Sequence, residues 1–207
     1  MSKLFTVIRS LICPFDQIEP FVPRQGKILD FGCGHGIFSA LLVKKSLNRK
    51  VLGIDPSEHK IKLAQKHYNG IKNLQFKKAY LKDVKRVKYD CIVIIDVLYL
   101  LSNKAKLKTL NLAKKLLNKN GVLILKTISH NPKWLFTLVK LEEKLMVKIL
   151  KYTYSDTLGL YFLSEEKYQQ LLNKAGFTII DERLIQGIPY RQQLIIAKKT
   201  ISSSDEK

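Results

Sequence analysis

A chain of 207 residues with 46% hydrophobic content is long and apolar enough for one domain with a full core. The formal net charge of +20 favours nucleic acid, anionic lipid or acidic partners, yet lysines such as Lys60, Lys62, Lys66, Lys104 and Lys108 scatter over expected helix faces and equally suit a solvated coat. Cys13, Cys33 and Cys91 lack the spacing of a zinc site or disulfide framework, which suits a reducing cytosol. Arg9 interrupts the apolar N-terminus, so no signal peptide is expected, and the apolar run Cys91 to Leu101 contains Asp96 and falls short of the roughly 20 residues of a spanning helix.

From Lys27 onward, short β-rich runs alternate with helical segments, the pattern of an α/β protein with a mainly parallel sheet. Residues 27–31 read as a first strand and 37–45 as the helix after a glycine loop. Residues 51–54 form a second strand ending at Asp55, and Ser57 caps a helix to about Tyr68. Residues 74–78 make a short third strand, and the β-branched run 91–95 suits a central strand covered on both faces. A helix from about Lys104 to Leu117 is expected to end at an Asn120-Gly121 turn, before a fifth strand over 122–126. Ser164 caps a helix that stops at Ala175-Gly176. The closing strands, 177–184 and 192–199, have too short a link for a parallel crossover and are therefore antiparallel.

The segment Ile28-Leu-Asp-Phe-Gly-Cys-Gly-His-Gly runs from strand through a glycine turn into a helix. Glycines 32, 34 and 36 permit close approach of backbone to a ligand. Asp55, about 20 residues on at the end of the next strand, is placed to accept hydrogen bonds from ribose hydroxyls. The third glycine comes one residue too early for a dinucleotide site, and Asp30 before the loop would repel phosphates but suits a cationic amino-acid cofactor. A tight strand-to-helix turn without a ligand is the alternative.

With these residues the chain resembles the class I S-adenosylmethionine-dependent methyltransferases, from about Gly26 to Lys199. The resemblance implies a Rossmann-like three-layer α/β sandwich whose seven-stranded, mostly parallel sheet has its last strand antiparallel. It implies S-adenosyl-L-methionine as cofactor, with Asp30, Gly32, Cys33, Gly34 and Gly36 around the methionine and ribose, Asp55 on the ribose hydroxyls and Pro56 against adenine; His35 is then a loop residue. Tyr80 stands where many relatives carry an aspartate for the adenine amino group, and Asp83 is a substitute only if the loop shifts. Ile95-Asp-Val-Leu-Tyr-Leu-Leu is similar to the family's segment after the fourth strand, which implies Asp96 near the sulfonium and Tyr99 as either a catalytic or a pocket-wall group. Neither an Asn/Asp-Pro-Pro-Tyr segment nor a catalytic Pro-Cys pair is present, which argues against exocyclic-amine and cytosine C5 chemistry, and no metal is expected.

The domain is expected over 27–199, with an N-terminal helical or extended flank over 1–26, a substrate-side insertion over 129–163 and a frayed tail over 200–207. Within the insertion, a helix over 133–151 gathers Lys133, Lys140, Lys144, Lys148 and Lys151 in an arc of about 80°, beside an apolar face that includes Trp134. It reads either as a peripheral contact with an anionic membrane or as a lid with a solvated lysine face. Aromatic residues over 152–162 and the aliphatic segment 4–12 point to a small, apolar, lipid-like acceptor. The flanks 11–23 and 187–190 are similar to bacterial methyltransferases of fatty-acid or aryl-polyene-type pathways, which implies a lipid-like or polyketide-like acceptor. His130 and Tyr190 join Tyr99 as candidate catalytic groups. The alternatives are a tRNA or rRNA methyltransferase, from the charge, and a non-catalytic cofactor-binding scaffold, from Tyr80. A cytoplasmic place, with inner-membrane contact as an option, follows from these readings.

Overall fold

The computed structural model describes residues 12–85, 87–128, 161–188 and 191–200. The expectations at His130, Tyr190, the 133–151 helix and 201–207 fall outside them.

The described helices are α1 (Phe15–Ile18), α2 (Ile37–Lys45), α3 (Glu58–His67), α4 (Asn103–Leu116) and α5 (Glu165–Lys174). The strands are β1 (Gly26–Phe31), β2 (Arg49–Asp55), β3 (Leu74–Lys78), β4 (Tyr89–Ile95), β5 (Leu117–Ile128), β6 (Phe177–Gln186) and β7 (Arg191–Lys199). They form one seven-stranded sheet in the order β3-β2-β1-β4-β5-β7-β6. All pairs from β3 to β5 are parallel, and β7 runs antiparallel to both of its neighbours. Strand order reverses between β1 and β4, and in open α/β sheets such a reversal leaves a crevice at the carboxyl ends of the strands where ligands bind.

Strand alternation divides the core between two faces. Leu29, Phe31, Ile92 and Ile94 pack under α4 and α5 with Leu110, Tyr168 and Leu172. Ile28, Val93, Ile124 and Ile196 pack on the other face with Phe38 and Leu42 of α2 and Ile61 of α3. The second face also takes Cys13, Phe15, Ile18 and Val22 of the N-terminal flank.

Local chemistry sets the element ends. Ser57, Ser102 and Ser164 accept hydrogen bonds from the amides of Lys60, Ala105 and Lys167, satisfying helix N–H groups that have no intrahelical partner. Gly176, at φ +76°, closes α5. Most boundaries fall within two residues of expectation, and the start of β5 differs by more. α4 stops at Leu116, and residues 117–128 form one strand through Asn120-Gly121. The reason is a bulge: Leu117 pairs with Tyr89 and Val122 with Cys91, so the residues between them bow out of the ladder while Leu117 stays buried. Between β3 and β4 the described residues hold only a single-turn 3-10 helix, Leu81–Asp83. No described helix is long and apolar enough to cross a membrane.

Candidate active site

The loop after β1 is held against the end of β2. The amides of Gly32 and Cys33 both donate to the carbonyl of Ile54, at 2.8 and 3.0 Å. Gly32 has φ +81°, and a β-carbon there would collide with the side chain of Val97, so the loop lies directly against the residue after Asp96. Gly34, at φ +54°, faces open space, with nothing within 4 Å of where a β-carbon would stand. Gly36 is left-handed at φ +78° and opens α2. His35 lies in this loop.

Two carboxylates flank the loop. Asp55, 6% exposed, accepts from the amide of Gly34 through Oδ2 at 3.1 Å and from that of Ser57 through Oδ1 at 2.8 Å. The same side chain thus fixes the glycine loop and the turn into α3 that contains Pro56. Asp30, 2% exposed, accepts from Ser39 Oγ at 2.5 Å. Burial raises the Asp30 carboxyl from an ordinary 3.8 to about 6, the Ser39 hydrogen bond opposes that rise, and the charge of Asp55 adds to it. Burial and the two aspartates hold the Cys33 thiol well above its ordinary value, which disfavours its thiolate form.

A third acid stands across the crevice. Asp96 follows β4 in a left-handed conformation, φ +57°, which a few residue types with short polar side chains tolerate best. Both its oxygens accept from Lys126 Nζ, at 2.7 and 2.8 Å, and its amide donates to the Lys126 carbonyl at 3.1 Å. The two side chains are 10% and 1% exposed. Sequence reasoning missed Lys126. The usable signal was a lone charge in the apolar run 122–126 of a central strand, where burial demands a partner.

Tyr99 is 4% exposed and stacks on Phe162 with centroids 4.9 Å apart, while its carbonyl accepts from the amide of Tyr161. Lys106 Nζ reinforces this junction, donating to the carbonyls of Leu101 and Tyr161 and to Asn103 Oδ1. Tyr99 is therefore held in a packed junction with Phe162 and Tyr161. Tyr80, 41% exposed, lies farther out; its amide donates to Asp83 Oδ2 at 3.2 Å, so that carboxylate is engaged with the turn itself. The described residues hold no group of His, Cys, Asp and Glu arranged for a metal ion.

Asp30, Asp55 and the glycine loop thus meet at the carboxyl ends of β1 and β2, with Asp96 and Tyr99 across the topological switch. A Rossmann-like, mostly parallel seven-stranded sheet with an antiparallel final pair is the class I methyltransferase fold. The family model described as "Methyltransferase domain" matches residues 24–176. The chain belongs to that family, whose fold is that of the class I S-adenosylmethionine-dependent methyltransferases.

Among curated relatives, the Bacillus subtilis protein YqeM is 29% identical over 119 residues, 54% of this chain and 47% of that protein. A ubiquinone biosynthesis O-methyltransferase of Cereibacter sphaeroides is 23% identical over 187 residues, 87% of this chain and 72% of the relative. The chain thus spans about half the length of the first and under three quarters of the second. Among solved structures, the magnesium protoporphyrin IX methyltransferase of Synechocystis, with bound S-adenosylhomocysteine, superposes with a TM-score of 0.71 at 20% identity, covering 96% of this chain and 88% of that one. That likeness establishes the fold.

Proposed function

We propose that the chain transfers a methyl group from S-adenosylmethionine to a small, apolar, lipid-like or polyketide-like acceptor. The observation that carries the cofactor half is the acidic glycine loop: Asp30 and Asp55 flank a backbone whose Gly34 face is open. The donor set fits the cofactor. Asp30 offers a buried carboxylate to an ammonium, Asp55 keeps lone pairs for ribose hydroxyls, and Gly32, Cys33, Gly34 and Gly36 supply a wall without bulky side chains. Pro56 and Tyr80 border the adenine end.

When bound, the cofactor supplies a methyl group already activated by its sulfonium charge. The chain's own part is positioning and exclusion of water, through the loop and the buried ends of β4 and β5. Tyr99, three residues after Asp96 in the chain, stacks on Phe162, and this aromatic pair supports an apolar acceptor. Two of the matched proteins are named for small-molecule methylation, which supports the same class. Tyr99 packs against the acceptor in this reading; His130 and Tyr190 remain the other candidates for handling an acceptor proton.

The test is a titration of S-adenosylmethionine and S-adenosylhomocysteine, followed by a methyl-transfer screen over acyl and polyene-type hydroxylated compounds, with small polar metabolites as controls. Turnover confined to the apolar set supports the reading, and turnover confined to the polar set overturns its acceptor half. The +20 charge favours a second reading, methylation of tRNA or rRNA, which predicts RNA affinity that falls steeply with salt. Cofactor binding without turnover on either set would instead favour the scaffold. Membrane contact through 133–151 predicts co-sedimentation with anionic vesicles at low salt.

A further inference from the structure

Lys126 sits in a row of residues that the cofactor reading does not use. In register, Asp30 pairs with Val93 and Val93 with Ile124; one step toward the carboxyl ends, Ile95 pairs with Lys126 and Lys126 with Leu194. Paired residues of adjacent strands share a face, so Lys126 projects on the same face as Asp30, one row nearer the crevice. Ile95 and Leu194, its neighbours in the row, are buried and apolar. A lysine there has no water to solvate its ammonium, and Asp96 supplies both oxygens. The contact also pins a left-handed residue whose successor, Val97, abuts Gly32.

We propose that Lys126 is a positioning residue of the methyl-transfer site, holding Asp96 in its left-handed conformation and offsetting the charge that Asp96 presents to the sulfonium. This inference rests on the cofactor reading above. Its physical basis is that positive charge leaves the sulfur as the methyl group is transferred. A carboxylate beside the sulfur that lost the lysine's positive charge would stabilise the cationic cofactor more than the transition state or the neutral thioether product. Paired with Lys126, Asp96 shapes the crevice without that penalty.

The test is calorimetric titration at pH 8 of S-adenosylmethionine and S-adenosylhomocysteine into the native protein and the Lys126→Met, Lys126→Arg, Asp96→Asn and Lys126→Met/Asp96→Asn variants. The readout is the ratio of the two affinities, which a merely structural loss would not move in a charge-dependent way. Lys126→Met is expected to raise the preference for S-adenosylmethionine roughly tenfold. Lys126→Arg should keep the native ratio, and the double variant should restore it. Asp96→Asn, leaving the ammonium alone, should lower the preference; it carries the test if Lys126→Met fails to fold. A ratio that stays at the native value in both single variants overturns the inference while leaving the cofactor reading intact. Binding of neither ligand to the native protein overturns both.

Discussion

Asp30 links burial to ligand charge. Because its carboxyl is raised from 3.8 to about 6 in the folded chain, the folded state holds a proton that the unfolded state has released between those values. The cost of ionising it is therefore absent below about pH 4 and fully present above about pH 6, on the order of 3 kcal/mol. Acidifying the ligand-free protein from pH 7 toward 4 should gain stability from this group, and Asp30→Asn should remove that part of the pH dependence in denaturant titrations. An incoming ammonium reverses the preference. S-adenosylmethionine affinity should drop roughly tenfold from pH 7 to pH 5, since binding takes the ionised form, and Asp30→Asn should flatten that profile. The turn that brings Asp30, Asp55 and the glycines together was legible because the loop's spacing and the acid at the next strand end form a local pattern. The Lys126–Asp96 contact was not, since it depends on β4 and β5 lying side by side, which no local spacing encodes.

At the scale of elements, the N-terminal flank is tied to the sheet by one buried cation. Arg49, at the start of β2, donates to Glu19 Oε1 at 2.6 Å and to the carbonyls of Val22, Pro23 and Leu42. Arg49 is fully buried and Glu19 4% exposed. Removing one partner leaves a buried charge without compensation, so Glu19→Ala should destabilise the fold by about 3 to 5 kcal/mol in urea titrations. The two exposed ion pairs of Glu58, with Lys62 and with Lys78, should contribute little by comparison. A second tie joins Tyr161 to α4 through Lys106. Burial lowers the Lys106 ammonium to about 8, and its acceptors are all uncharged. Lys106→Met should cost about 1 to 3 kcal/mol by leaving buried carbonyls unpaired, and should quench hydrogen-exchange protection at the Tyr161 amide. Helix starts at Ser57 and Ser164 and the stop at Gly176 were readable, because caps act within a turn. The bulge at Leu117 was not, since it answers to the register of β4.

For the whole molecule, the alternation of strands and helices, and the short link before β7, were sufficient to anticipate a mainly parallel sheet closed by an antiparallel strand. The strand order, with its reversal between β1 and β4, turns that pattern into a site by gathering Asp30, Asp55 and Asp96 at one edge. Charge belongs to this scale as well. With 37 basic and 17 acidic residues, the long-range field favours anions, while the crevice itself is lined by carboxylates. If the crevice takes a cationic cofactor as proposed, added salt should weaken RNA binding to the basic surface far more than cofactor binding.

The most direct test of the account is calorimetric titration of S-adenosylmethionine and S-adenosylhomocysteine into the native protein beside Asp55→Ala. The native chain should bind both, and the variant, folded by circular dichroism, should lose at least tenfold in affinity for each, as expected for removal of a charged hydrogen-bond acceptor. Native, folded protein that binds neither ligand, or an Asp55→Ala variant that binds both as tightly as the native chain, would contradict it.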